Sequence, residues 1–174
     1  MLAAMVLEAP LTLPLIPLPA QMSEGSESFR LPEKLAVSVD GAFASEGKRL
    51  GEMLRETAHV RLQSVRELRP GQSGLTMKLD ASDSRFGDEG YALDVDKDGI
   101  RIVARKPAGA FYAVQTLRQI LLRRGQAPFT VPEVHIVDEP RFGWRGMLLD
   151  VSRHFFTVAE IKKCLDYLSE MKMN

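Results

Sequence analysis

Cysteine is almost missing from this chain. Cys164 stands alone, so no disulfide can close within it and no Cys/His metal spacing exists. An excess of charge of one sign is missing too. The 23 basic side chains balance 23 acidic ones, which removes the electrostatic footprint of a nucleic-acid binder, and no basic amphipathic stretch suits a membrane surface. Long hydrophobic runs are also lacking. The opening "MLAAMVLEAPLTLPLIPLP" is apolar but has no basic start, Glu8 interrupts it, and Pro10, Pro14, Pro17 and Pro19 forbid a continuous helix. It falls short of the roughly 20 apolar residues of a membrane span, and residues 1–12 read as a leader or a disordered N-terminus. There is no internal repeat, no phosphate-cradling glycine loop and no G-x-S-x-G nucleophile turn.

The residues that are present, 45% hydrophobic and 26% charged, are those of a soluble globular protein with room for one ordinary domain and some excess. "FRLPEKLAVSV" reads as a strand, with Leu35, Val37 and Val39 on one face. The spacing of Leu50, Met53, Leu54 and Ala58 predicts a helix from Ser45 to His59, which Gly47 and Gly51 weaken by about 1 kcal/mol each. "RLQSVREL" and "LTMKLD" follow as strands around the turn "RPGQSG". In "GYALDVDKDGIRIVARK", Tyr91, Leu93 and Val95 share a face and Asp98-Gly99 supplies a tight hairpin turn. Asp94, Asp96, Asp98 and Gly99 imitate the first half of a calcium loop, but Arg105 stands where its last carboxylate belongs. No metal and no cofactor is expected.

"PAGAFYAVQTLRQILLRR" predicts a helix with Pro107 in its first turn, a buried stripe of Phe111, Val114, Leu117 and Leu121, Arg123 and Arg124 near its end and Gly125 beyond it. "FTVPEVHIVDEP" reads as a strand, with Pro132 inside it arguing for an edge or a bulge. The fold class over residues 13–139 is therefore α+β, an antiparallel sheet with two helices packed on one face. Asp88-Glu89 are adjacent and point to opposite faces, so they read as solvated turn carboxylates rather than an acid/base pair. His59 and His135 stand alone as ordinary surface or core histidines.

After Pro140 the pattern changes. "RGMLLDVS" is a short apolar run typical of a parallel strand buried on both faces. "TVAEIKKCLDYLSEMKM" predicts an amphipathic helix with a Thr157/Glu160 capping box, and its stripe of Val158, Ile161, Leu165 and Leu168 makes Cys164 a buried core thiol. One strand and one helix cannot bury their own apolar faces, so residues 140–174 require a continuation.

"GDEGYALDVDKDGIRIVARKPAGAFYAVQTLRQIL" followed by "PRFGWRGMLLDVSRHFFTVAEIKKCLDYLSEMKMN" resembles the glycoside hydrolase family 20 β-N-acetylhexosaminidases over nearly all of residues 13–174. The most specific part is the W-R-G-x-x-L-D-x-S-R-H-F run. The resemblance implies a non-catalytic N-terminal domain over 13–139, then the first strand and helix of a truncated (β/α)8 barrel over 140–174. It implies that Arg145 hydrogen-bonds hydroxyls of the non-reducing sugar, a role suited to a rigid fork of five donors. Asp150, Arg153 and His154 then support the site, with Asp150–Arg153 pairing to orient the loop. The implied chemistry is substrate-assisted retaining hydrolysis of terminal β-linked GlcNAc or GalNAc, in which an aspartate orients the 2-acetamido group and the neighbouring glutamate protonates the leaving oxygen. That pair belongs to a later strand, so no catalytic residue is expected in this chain and it is expected to be inactive alone. The implied partners are N-acetylhexosamine-containing glycans, such as chitin oligosaccharides or glycoconjugates, and the implied location is outside the cytoplasm. The alternative is a stand-alone accessory or carbohydrate-binding domain, which has no use for an orphan strand and helix.

Overall fold

A computed structural model describes residues 13–122 and 128–174. The leader expected over 1–12 and the helix end expected at 123–125 lie outside the described residues. Among these residues seven strands form one sheet: β1 (Gln21–Arg30), β2 (Lys34–Val39), β3 (Arg61–Ser64), β4 (Gly74–Leu79), β5 (Tyr91–Asp96), β6 (Gly99–Ala104) and β7 (Thr130–Asp138). Their spatial order is β1-β7-β5-β6-β4-β2-β3. Helices α1 (Ala44–Ala58) and α2 (Pro107–Leu122) contribute to the same core, and α3 (Val158–Glu170) follows near the end of the chain.

The sheet is mixed, not antiparallel throughout. β1–β7, β5–β7 and β5–β6 run antiparallel, while β2–β3, β2–β4 and β4–β6 run parallel. The reason lies in the connections. α1 carries the chain from β2 to its parallel neighbour β3, a helical crossover that returns the strand in the same direction. Residues 65–73 then bring β4 back parallel to β2 without a helix, and α2 carries the chain from β6 to β7, which run the same way on either side of β5. Period-2 alternation records which residues face the core but not which way a neighbouring strand runs.

Register lines up the core in rows. Val134, Val95, Ile100, Leu75 and Val37 form one row across five strands, and Ile136, Leu93, Ile102 and Met77 form the next. All are buried, and fully burying one such side chain contributes about 1.5–3 kcal/mol. α2 covers these rows with Val114, Leu117, Ile120 and Leu121, whereas Phe111 is half-buried at the helix edge. A third row continues with Ala104, Tyr91 and Asp138. Here the core-facing register position of β7 is held by a carboxylate, and this end of the sheet becomes the candidate site.

Two glycines permit the closest approaches of backbone to backbone. Gly99 has φ 156°, and a Cβ there would stand 2.1 Å from the Gly74 carbonyl of the parallel neighbour β4. Gly109 would place its Cβ 2.1 Å from the Gly90 carbonyl, so glycine lets the start of α2 sit directly on the start of β5. Pro132 stands opposite Ser28, where the register of β1 shifts between Glu24 and Ser28, and it lies beyond the residues of β7 that pair with β5, so both a bulge and a locally open edge adjoin it. Asp94 meets His135 at 3.0 Å, and Asp96 binds Arg101 at 2.7 Å and accepts from the Asp98 and Gly99 amides. Asp94 and Asp96 of the apparent calcium loop are thus engaged, the first with β7 and the second within the hairpin.

Two expectations fail beyond Pro140. No strand forms over residues 146–151; Met147, Leu148 and Val151 are exposed at 53%, 93% and 50%. A parallel strand needs ladder partners on its edges and cover on its faces, and among the described residues the run has neither. α3 forms as predicted, with Thr157 and Glu160 completing the capping box. Its stripe stays uncovered, however: no residue of the helix is buried, and Cys164 is a half-buried thiol rather than a core one.

Replacing Gly99 by alanine should destabilise the domain by more than about 1 kcal/mol, because the new Cβ meets a backbone carbonyl in a conformation that L-residues avoid. Gly41→Ala, where a Cβ meets nothing within 4 Å, should change stability by less than about 0.5 kcal/mol. Urea midpoints of the two variants measure the difference; equal shifts contradict the packing described at Gly99.

Candidate functional site

Arg145 leaves the chain just past Trp144 and turns back onto the start of β5 and α2. Its Nη2 donates to Glu89 Oε1 at 2.7 Å and to the Tyr112 hydroxyl at 2.8 Å. Its Nη1 donates to Glu89 Oε2 at 3.0 Å and to the Phe142 carbonyl. Nε donates to the Lys172 carbonyl at 2.7 Å. All five N–H bonds of the guanidinium therefore have acceptors, two of them from one carboxylate in fork geometry. The guanidinium also lies over the Tyr112 ring, 5.6 Å from its centre. Only 14% of the Arg145 side chain is exposed.

Asn174 closes this cage. Its amide N–H donates to the Arg145 carbonyl at 2.9 Å, its side-chain oxygen accepts from the Arg145 amide at 2.9 Å, and Nδ2 reaches the Gly143 carbonyl at 2.8 Å. The Arg145 guanidinium holds the Glu89 carboxyl below its ordinary value; burial opposes this, and the Tyr112 and Asn174 hydrogen bonds reinforce it. Burial, followed by the adjacent Glu89 carboxylate, pushes the Tyr112 hydroxyl up.

A second ionic cluster lies beside the first, at the carboxylate row of the sheet. Lys172, only 2% exposed, donates to Asp138 Oδ2 at 2.6 Å and to the Tyr91 hydroxyl at 2.8 Å. Tyr91 donates to Asp138 Oδ2 at 3.0 Å and meets Thr116 Oγ1 at 2.6 Å. The other Asp138 oxygen accepts from the Ala20 amide at 3.1 Å. Burial pulls the Lys172 ammonium down from its ordinary value, while Asp138 opposes the shift. Burial followed by the Asp138 charge pushes Tyr91 well up. Arg118 and Gln119 of α2 add contacts to Glu170 at the end of α3.

The predicted site residues separate. Arg145 is enclosed, whereas Asp150, Arg153 and His154 lie on the exposed loop before α3. Asp150 accepts from the Ser152 and Arg153 amides at 2.9 and 3.2 Å, and Arg153 Nε lies 3.5 Å from its other oxygen. Asp88 and Glu89 also part company: Asp88 binds Lys106 on the surface, with 59% of each side chain exposed, while Glu89 turns inward to Arg145. The solvated-turn reading holds for Asp88 and fails for Glu89. Sequence reasoning missed Glu89, Tyr112, Asp138 and Lys172 as partners. The usable signal was Asp138 itself, an acidic residue in phase with Val134 and Ile136.

Glu89 carries a testable pH dependence. Its folded pKa lies below the unfolded one, so its stabilisation is complete above the unfolded value and is lost as pH falls through the folded value. Between about pH 5 and pH 3, wild-type urea stability should fall more steeply than that of Glu89→Gln. Equal slopes would show that Glu89 does not hold Arg145 in solution.

Comparison with known proteins agrees with this architecture. Residues 12–139 match glycosyl hydrolase family 20, domain 2, and residues 142–174 match glycosyl hydrolase family 20, catalytic domain. A beta-hexosaminidase of Porphyromonas gingivalis is 37% identical over 167 residues, covering 92% of this chain and 21% of that protein. A beta-N-acetylhexosaminidase of Cellulomonas fimi is 43% identical over 94 residues, covering 54% of this chain and 19% of its own length. The chain thus spans about a fifth of these two relatives. Among solved structures, a GH20 exo beta-N-acetylglucosaminidase from Vibrio harveyi in complex with N-acetylglucosamine superposes with a TM-score of 0.80 at 29% identity, over 93% of this chain and 24% of that one. A mutant Streptomyces plicatus beta-hexosaminidase in complex with GlcNAc gives 0.78 at 37% identity, over 92% of this chain and 33% of that one. With a mixed sheet like theirs and a family match over most of its length, the chain belongs to glycosyl hydrolase family 20.

Proposed function

We propose that this chain is the N-terminal part of an exo-acting β-N-acetylhexosaminidase, which removes terminal β-linked GlcNAc or GalNAc from glycans such as chitin oligosaccharides or glycoconjugates. The observation that carries the reading is the match of one continuous chain to both domain 2 and the catalytic domain of the family, with relatives named as hexosaminidases. The neighbour solved with N-acetylglucosamine supports the substrate class. In this reading residues 13–139 are the non-catalytic domain and 140–174 open a (β/α)8 barrel, with 146–151 as its first strand and α3 as its first helix. The uncovered side chains of Met147, Leu148, Val151 and Leu165 support that assignment, since a barrel strand and helix bury such residues against their neighbours.

The chemistry is substrate-assisted. The 2-acetamido oxygen of the sugar attacks the anomeric carbon, an aspartate orients it and a glutamate protonates the leaving oxygen. Asp88 and Glu89 cannot replace that pair, since one is paired with Lys106 and the other is held in the Arg145 fork. The purified 174-residue chain should therefore show no turnover of an aryl β-N-acetylglucosaminide above background. Measurable turnover would contradict the assignment.

Arg145 is the proposed sugar-binding residue of the whole enzyme, its guanidinium exchanging the Tyr112 and Glu89 oxygens for sugar hydroxyls. The saturated cage favours a second reading, in which Arg145 is a fixed ion pair holding the segment after Pro140 to the domain. The two separate on one sample of whole enzyme. Sugar binding predicts that Arg145→Ala lowers kcat/KM by on the order of 10- to 200-fold at a temperature where the variant is folded. Arg145→Lys should recover only part of this, because an ammonium lacks the planar fork. A lowered Tm with kcat/KM kept per folded molecule would instead establish the fixed ion pair.

A further inference from the structure

The C-terminal end of α3 has an unusual cap. Met173 N donates to the Leu168 carbonyl and Lys172 N to the Ser169 carbonyl, the paired bonds of a Schellman turn. The residue after the cap in such a turn adopts the left-handed conformation and is usually glycine. Here it is Lys172, at φ 57°. A lysine held in left-handed backbone, almost fully buried, with its ammonium removed from water, combines three unfavourable features at one position. Something must offset them, and among the described residues the groups that reach its ammonium are Asp138 and Tyr91, with Thr116 behind the tyrosine.

We propose that Tyr91, Thr116 and Asp138 form a receptor on the α+β domain for the Lys172 ammonium, through which the domain holds α3 in place as an intramolecular template. Geometry places this function on three elements at once, since Tyr91 begins β5, Thr116 lies in α2 and Asp138 ends β7. The receptor stands at the end of the sheet, where a core row terminates in a carboxylate. None of the residues of α3 is buried, so an apolar face does not hold this helix. A free helix of 13 residues is marginal in water. Anchoring at this end, by the cap together with the Arg118 and Gln119 contacts to Glu170, leaves the apolar residues Val158 and Leu165 open at 70% and 58% exposure. The proposal rests on the hexosaminidase reading only in naming α3 the first barrel helix; the anchoring itself is independent of sugar and turnover.

Hydrogen exchange on the 174-residue chain tests it, with the labelling rate of Cys164 as a second reporter. Lys172→Gly keeps, and even relaxes, the cap while removing the ammonium. Under the proposal, α3 amides should exchange roughly tenfold faster or more in this variant and Cys164 should react faster, while Tyr91–Ala104 keeps its protection. Protection of α3 at or above the wild-type level would show that the lysine is only a cap and would overturn the template. Lys172→Met, which keeps the stem and removes the charge, covers the case in which glycine unfolds the chain. If both variants lose protection across Tyr91–Ala104 as well, Lys172 is a core residue of the domain rather than the ligand of a receptor, and the proposal fails.

Discussion

A carboxylate at a core-facing position of a sheet must find a partner, and much of this structure follows from that demand at Asp138. Its neighbours in register, Tyr91 and Ala104, and the residues before it on the strand, Val134 and Ile136, are all buried. An unpaired charge there would cost several kcal/mol. The partner comes from far along the chain, as Lys172 past the end of α3. Once that ammonium is seated, its carbonyl lies within reach of Arg145 Nε, and Asn174 falls beside the Arg145 backbone. The two ionic clusters are thus mechanically one: the cation that neutralises Asp138 also builds a wall of the Arg145 cage.

The contact between residues 13–139 and 140–174 is ionic where most domain cores are apolar. Buried ion pairs add little net stability, because desolvation offsets most of the Coulomb attraction, but breaking one partner is costly. Such a contact specifies position more than it supplies free energy. It also leaves apolar side chains free. Trp144, Leu148 and Phe155 are 88%, 93% and 87% exposed, and about 520 Å³ of space lies between residues 144–148 and the face of α3 carrying Leu165 and Leu168.

What the sequence made legible was local. The hairpin of β5 and β6, both ends of α1 to within a residue, the start of α2 and the capping box of α3 all follow from side chains within a few positions of one another. β1 escaped notice because Gln21–Ser28 is almost wholly polar and exposed, without alternation to read. Strand direction escaped because the connections between strands, not the strand residues, decide it. The segment 146–151 looked like a strand and carries the right residues, yet a strand exists only with neighbours. The ionic clusters join residues far apart, Glu89 with Arg145 and Tyr91 with Lys172, and no periodicity encodes such pairings. The resemblance singled out Arg145; the carboxylate that holds it was not legible.

Coupling between Asp138 and Lys172 is most directly measured by a double-mutant cycle on the 174-residue chain, using Asp138→Asn, Lys172→Met and the pair together, with unfolding free energies from urea titration. If the two charges hold one another in a buried site, each single change leaves a charge without its partner, and the double change should cost less than the sum by about 1–3 kcal/mol. Additive effects, within about 0.3–0.5 kcal/mol, would mean that the two groups do not interact in solution and that the domain does not hold the segment after Pro140 in this way.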